Sequence, residues 1–252
     1  MTASNQDAVK RVAAAVTAAR SITVLTGAGV SSASGIPTFR GEDGLWKKVR
    51  VETLATREAF ENDPRLVWEW YDWRRSLIRD AQPNAAHHVL AAWTRTRAAT
   101  LITQNVDGLH ERAGAERLIR LHGSIWHVRC WNRCGAGRAD WLDDRVPIGT
   151  LPPRCPHCGG MVRPAVVWFG EPLDQSILDR ARAAAACDVF LTVGTSAVVY
   201  PAAGLIPDAK AAGALVVEIN PDATGASHAA DVTLRLRADD ALTQINEHLD
   251  LG

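Results

Sequence analysis

The run Ser21 to Leu25 is largely apolar, shows no alternation with charged residues, and stops at Thr26-Gly27, where a glycine-rich loop begins. A strand buried on both faces fits such a run, and strands of that kind belong to parallel sheets covered by helices. Comparable runs recur at Thr100 to Thr103, Leu118 to Leu121, Ala165 to Phe169, Val189 to Val193, Leu215 to Ile219 and Val232 to Leu236. Between them lie segments with helical spacing, among them Gln6 to Arg20, Asp174 to Ala186 and Asp239 to Leu249. The alternation predicts an α/β fold, a doubly wound, Rossmann-like parallel sheet with helices on both faces. Two regions interrupt it: residues 41–82, with helical patterns and many aromatics, and residues 127–162, rich in Cys, Gly and Pro. We assign these to a smaller inserted domain, helical in 41–82 and metal-binding in 127–162. Residues 1–40, 83–126 and 163–252 then form the large domain.

Composition removes several classes of function. Lys plus Arg and Asp plus Glu both number 28, so no overall positive field exists to hold nucleic acid or an anionic membrane. No run approaches the roughly 18 apolar residues of a membrane span, and Met1 to Arg20 has no signal-peptide core. The expectation is a cytoplasmic monomer without a specific nucleic-acid or membrane partner. The arginines of the cysteine-rich segment, Arg129, Arg133, Arg138, Arg145 and Arg154, read as solvated surface charge.

Three motifs carry chemistry, each placed where a predicted strand ends. The first is Gly27-Ala28-Gly29-Val30-Ser31-Ser32-Ala33-Ser34-Gly35, whose glycines let backbone N–H groups approach a pyrophosphate. Its spacing is not that of a dehydrogenase, and no second strand ending in an acid follows about 20 residues later. Instead comes Ile36-Pro37-Thr38-Phe39-Arg40, a turn carrying a ring and a fixed cation. The second is Gln104-Asn105-Val106-Asp107-Gly108-Leu109-His110, two amides and a carboxylate beyond Thr103. The third is Leu121-His122-Gly123-Ser124. His122, at a strand end beside two other polar strand ends, is suited to take a proton near neutral pH.

Cys130 and Cys134, then after a long gap Cys155 and Cys158, form two close pairs. Four thiolates complete a tetrahedral Zn²⁺ shell and leave no position for water, so the predicted metal is one structural zinc. His157 is a lesser candidate ligand, and Cys187 reads as an inert, partly buried thiol.

Taken in order, GAGVSSASGIPTFR at 27–40, QNVDGLH at 104–110, HGSIW at 122–126, the two cysteine pairs, VVWFGEPL at 166–173, GTS at 194–196 and INP at 219–221 resemble the sirtuin family over nearly the whole chain. The resemblance implies an NAD-dependent protein deacylase acting on acylated-lysine protein substrates, with NAD as co-substrate and zinc as structural metal. It implies that Gly27, Ala28, Gly29, Ser31, Thr38, Phe39, Arg40 and Trp46 hold NAD together with Gln104, Asn105, Val106 and Asp107. Gly194, Thr195, Ser196, Asn220 and Pro221 would hold the rest of the dinucleotide. His122 would be the general base, assisted by Asn105 and Asp107, and Val167, Trp168, Phe169 and Gly170 would pair with the substrate peptide. The implied reaction has the acyl oxygen attack the ribose carbon that bears nicotinamide, ending in free lysine, nicotinamide and O-acyl-ADP-ribose.

Asp63-Pro64 is a helix start, which puts Tyr71 and Arg74 on one face three residues apart. The chain here resembles the bacterial class III branch of the family, the desuccinylase and demalonylase type, in which a Tyr-x-x-Arg pair reads the acyl carboxylate. The presence of Thr38 where many sirtuins carry Asp points the same way. The implied preference is succinyl or malonyl over acetyl. Two alternatives stand beside it: a deacetylase without acidic-acyl preference, and a mono-ADP-ribosyltransferase.

Overall fold

The computed structural model describes residues 3–38, 45–46, 49–135 and 139–250. Helix α1 (Ala3–Ala18) buries Val9, Val12, Ala13 and Val16, and strand β1 (Ile22–Thr26) is buried along its whole length. A 3-10 helix (Ala28–Ser34) follows and ends at Gly35 in the left-handed region. After two short strands, β2 (Leu45–Trp46) and β3 (Val49–Arg50), come helices α2 (Val51–Leu54), α3 (Arg57–Asn62) and α4 (Pro64–Asp80). Asp63 caps α4 by accepting from Leu66 N at 2.9 Å, with Pro64 in the first turn where no N–H is needed. Helix α5 (Ala85–Thr96) leads to β4 (Ala99–Thr103), and α6 (Leu109–Arg112) leads to β5 (Leu118–Arg120).

Then come β6 (Gly123–Cys130), β7 (Trp141–Leu142), β8 (Val162–Val166), α7 (Gln175–Ala185), β9 (Val189–Val193), α8 (Leu205–Ala211), β10 (Leu215–Ile219), β11 (Val232–Leu234) and α9 (Ala238–Asp250). The large sheet runs β11-β10-β9-β1-β4-β5, parallel throughout. One face is covered by α1, α5 and α9, whose Val16, Leu90, Trp93, Leu242 and Ile245 pack on Val24, Leu101, Leu191 and Val217. The other face is covered by α7 and α8 packed on Leu25, Ile102, Phe190 and Val216. Burial on both faces is what the unalternated runs require, and the doubly wound α/β expectation holds.

The run Ala165 to Phe169 is not a strand of this sheet. Strand β8 ends at Val166 and pairs antiparallel with β6 in a separate three-stranded sheet, order β7-β6-β8. An apolar run fixes burial but not partner, and here the nearest partner is the strand that leads into the cysteine-rich segment. A second core joins this sheet to α4 through Phe60, Trp68, Trp70, Tyr71, Ile125, Val128, Val162 and Trp168.

The register Thr26↔Thr103, Thr26↔Val193 and Ile219↔Val193 ends four neighbouring strands at one level. The chain leaves β1 toward β4 and β5 on one side and returns through β9, β10 and β11 on the other. The loops therefore converge on a crevice at the point where strand order reverses, the usual ligand position in open α/β sheets.

Gly123, at the junction between the two sheets, has φ +79°, and a Cβ there would lie 2.2 Å from Ala165 O. Gly149 has φ +88° but nothing within 4 Å. Replacement of Gly149 by alanine should cost roughly 1–2 kcal/mol in urea unfolding, the intrinsic left-handed penalty. Gly123→Ala should cost several times that or prevent folding.

Candidate active site

The converging loops enclose a cavity of about 1070 Å³. Gly27, Ala28, Gly29, Ser31 and Thr38 line it from β1, Gln104 to Asp107 from β4, His122 from beyond β5, Gly194 to Ser196 from β9, and Asn220 and Pro221 from β10. Val167 to Gly170 and Arg74 line it from the smaller core. Phe39, Arg40 and the side chain of Trp46 lie outside the described residues. Tyr71 is 1% exposed and sits behind the wall formed by Trp70, Arg74 and Trp168.

The floor is two glycine loops in backbone contact. Gly27 N donates to Val193 O at 3.1 Å and Gly29 N to Gly194 O at 2.8 Å. A Cβ on Gly29 would lie 2.8 Å from Gly194 Cα, and one on Gly27 would lie 2.7 Å from Thr195 Cβ. Beside it, Gln104 Nε2 donates to Thr195 Oγ1 at 2.9 Å and Asn105 Nδ2 to Gly27 O at 3.1 Å. The concave surface, lined by glycine loops and amide side chains, fits a dinucleotide substrate.

A buried polar chain runs beneath this floor. Asn84 N donates to His87 Nδ1 at 3.2 Å, so Nε2 carries the hydrogen and faces Ser31 Oγ at 3.4 Å. Ser31 Oγ in turn donates to Asp107 Oδ2 at 2.8 Å, while Leu109 N donates to Oδ1 at 2.9 Å. Burial raises the Asp107 carboxyl, opposed by these two donors and by the Arg74 charge. Burial lowers His87 to about 4, and it lowers His110, whose ring centroid is 4.8 Å from that of His87, well below the ordinary value. His87 has no place among the expected site residues. Its one sequence signal is the Asn84-x-x-His87 spacing of a capping box, which the helix α5 uses. The cavity also takes in Glu171, which lies within the 166–173 motif but had no role assigned, and Tyr200, Thr224 and Arg237, which no motif indicated.

His122 Nδ1 lies 2.9 Å from Gln104 O. A carbonyl can only accept, so Nδ1 bears the hydrogen and Nε2 is left with its lone pair. Burial lowers the His122 pKa, opposed by the bond to Gln104, so the ring is neutral at physiological pH.

On the side of the smaller core, Trp168 Nε1 donates to Tyr71 Oη at 2.9 Å, and the Arg74 guanidinium stands 5.0 Å from the Trp70 ring centroid and 5.9 Å from that of Tyr71. Burial lowers the Arg74 pKa, opposed by Tyr71 and Asp107. Trp168 is held on its other face by Arg163, 3.4 Å from its centroid, which also grips Glu171 at 2.5 and 2.9 Å.

The sulfurs of Cys130, Cys134, Cys155 and Cys158 lie within 4.8 Å of one another. The closest pairs, Cys130 with Cys158 and Cys134 with Cys155, are 3.6 and 3.8 Å apart. Tetrahedral sulfurs around zinc at about 2.3 Å are about 3.8 Å apart, so the four fit one zinc ion. Burial would raise the Cys130 thiol, but the Cys134 amide and neighbouring sulfurs bring it down to about 7. His157 is exposed and outside the cluster. Cys187 is buried, and burial raises its pKa. Arg129 and Arg145 are paired with Asp140 and Asp143 at 3.0 and 2.6 Å. Among the described residues no helix is long and apolar enough to cross a membrane.

Two measurements follow from this geometry. Stripping zinc from the as-purified protein with a chelator should release one equivalent and lower the melting temperature, and Cys155→Ser should abolish retention of the metal. The second concerns pH. A buried neutral histidine binds its proton less readily folded than unfolded, so its stabilisation is complete above pH 6.5 and is lost as pH falls toward 4. Between pH 7 and 5 His87 should account for about 2 kcal/mol of lost unfolding free energy. His87→Asn should flatten that slope by this amount in urea titrations.

The chain is similar to known proteins over most of its length. Residues 27–201 match the Sir2 family. The chain is 50% identical over 230 residues to an NAD-dependent protein deacylase of Aquifex aeolicus (strain VF5), covering 90% of this chain and 95% of that one. It is 44% identical over 232 residues to the NAD-dependent protein deacylase Sir2 of Mycolicibacterium smegmatis (strain ATCC 700084 / mc(2)155), covering 90% and 96%. Among solved structures, a Sir2 homolog in complex with NAD superposes with a TM-score of 0.90 at 43% identity, covering 96% of this chain and 94% of that chain. A Sir2 bound to deacetylated p53 peptide and 3'-O-acetyl ADP-ribose superposes at 0.85 with 30% identity, covering 95% and 97%. The chain belongs to the Sir2 family.

Proposed function

We propose that this chain, an enzyme that consumes NAD to take acyl groups off protein lysines, acts preferentially on succinyl- and malonyl-lysine. The observation that carries the preference is Arg74, a half-buried cation on the wall of the cavity, set beside the rings of Trp70 and Tyr71. Burial disfavours its charge, and a substrate carboxylate arriving beside it would offset that cost. Tyr71, expected beside Arg74 as a second donor, lies behind this wall with its hydroxyl accepting from Trp168 Nε1, so the reading rests on Arg74. A hydrogen bond to a charged group is worth about 1.5 to 3 kcal/mol, or roughly 10- to 150-fold. Preference over acetyl is therefore large, and some deacetylation remains.

The catalytic roles follow the same geometry. Neutral His122, oriented by Gln104 O, accepts a proton from the ribose through Nε2. Asn105 and Asp107 orient the ribose and the carboxamide, the glycine loops hold the phosphates, and the segment 167–170 pairs with the substrate backbone. What the protein adds is placement of the acyl oxygen and exclusion of water from the reactive centre.

The test is one lysine peptide in acetyl, malonyl and succinyl forms, incubated with NAD, with deacylated peptide and nicotinamide followed by mass spectrometry. Succinyl or malonyl removal should exceed acetyl removal, and Arg74→Met should lower desuccinylation at least about tenfold while leaving deacetylation within a few-fold. Acetyl preference in the wild type, or equal loss of both activities in the variant, would remove Arg74 from the specificity argument. His122→Tyr should abolish all three activities in a folded protein. In the wild type the acid limb of kcat/KM should fall below pH 6.5, since the base must be neutral and burial lowers its pKa.

A further inference from the structure

Glu218, one residue before the end of β10, is 1% exposed and has no part in the chemistry described above. Its Oε1 accepts from Thr224 Oγ1, and its Oε2 accepts from Ser227 Oγ at 2.7 Å and pairs with Arg235 Nη1 at 2.6 Å. Arg235 continues the network, donating to Ser227 Oγ at 3.0 Å through Nη2 and to Asp222 O at 3.0 Å through Nη1. The same two hydroxyls hold the turn internally: Ala226 N donates to Thr224 Oγ1 at 3.0 Å and Thr224 N to Ser227 Oγ at 2.9 Å. Across the crevice the segment is tied to the β9 loop, with Gly225 N donating to Ser196 O and Asn220 Nδ2 to Thr195 O, both at 3.1 Å.

In dinucleotide-binding sheets an acid near a strand end ordinarily takes a ribose hydroxyl. Here both oxygens of the acid are engaged by protein donors, and the residues they hold, Asn220 to Gly225, line the cavity. A buried carboxylate is costly unless paired and hydrogen-bonded, and this one is both. We infer that Glu218 and Arg235 are positioning residues for the co-substrate. They hold segment 220–227 in its NAD-binding shape before NAD arrives, so their contribution appears in NAD affinity and not in turnover. The inference rests on the NAD-consuming reading above, while the chemistry at His122 is carried by other residues.

The test uses Glu218→Gln, Arg235→Met and the double variant. Steady-state rates are measured with NAD varied at saturating acyl-peptide, and ADP-ribose binding is measured by calorimetry. Each single variant should raise the KM for NAD and weaken ADP-ribose by about tenfold, the loss expected for a charge-assisted bond. The kcat and the KM for acyl-peptide should stay within about twofold, and the double variant should be no worse than the more severe single. An unchanged KM for NAD in a folded single variant, a fall in kcat without a change in KM, or a double variant whose loss is the product of the two singles would each overturn the inference. Should either single variant fail to fold, Ser227→Ala, in the loop itself, should raise the KM for NAD about threefold, and no change there would overturn it equally. A wild type without NAD-dependent turnover would refute the enzymatic reading instead, and the ADP-ribose titration would then decide the positioning claim by itself.

Discussion

Backbone-to-backbone contact between the loops after β1 and β9 is the constraint on which the site depends. Gly29 donates to Gly194 O at 2.8 Å, and neither loop has room for a Cβ at the contact. Because β1 and β9 are hydrogen-bonded neighbours ending in register, the contact places the donors of one loop against the polar groups of the other. Asn105, Gln104 and Thr195 then interlock above it. A side chain at either glycine would separate the loops and widen the crevice that this fold uses for its ligand.

Beneath the contact the protein keeps its histidines neutral. His87 and His110 pack against each other in the core with tilted rings, and burial discourages a proton on either. Neutrality lets His87 accept from the Asn84 amide with one nitrogen and face Ser31 with the other, which directs the Ser31 hydroxyl to Asp107. His122 obeys the same logic at the surface of the cavity. One nitrogen is fixed by a carbonyl, and the other is left to do chemistry.

The smaller core supplies the other half of the site through aromatic contacts. Phe60 lies 4.9 Å from Trp131, which follows the zinc-type ligand Cys130, and 5.3 Å from Trp168, which borders the cavity. Trp168 is held between the Arg163 guanidinium and the Tyr71 hydroxyl. The cysteine cluster thus stands at one end of a packed series of rings and Arg74 at the other, which gives a structural metal a physical connection to the wall of the cavity.

The alternating apolar runs and helical segments were enough to indicate a doubly wound sheet, because burial on both faces leaves a pattern that needs no tertiary information. The strand-end motifs at Gly27, Gln104 and His122 were legible for a related reason: in such a sheet a strand's carboxyl end is where the ligand lies, so chain order alone locates the site. The cysteine spacing likewise announced a metal. The run 165–169 was misassigned because apolar character records burial and not the identity of the neighbouring strand. His87, Glu171 and Glu218 stayed hidden because a carboxylate or imidazole has no fixed role until its surroundings are known. The sequence determined the fold class, the ends of the strands and the metal-binding thiols, since these follow from local spacing. Only the tertiary structure decided which polar groups are neutral and which carboxylate is consumed in holding a loop, since those depend on desolvation and on the contacts that folding brings about.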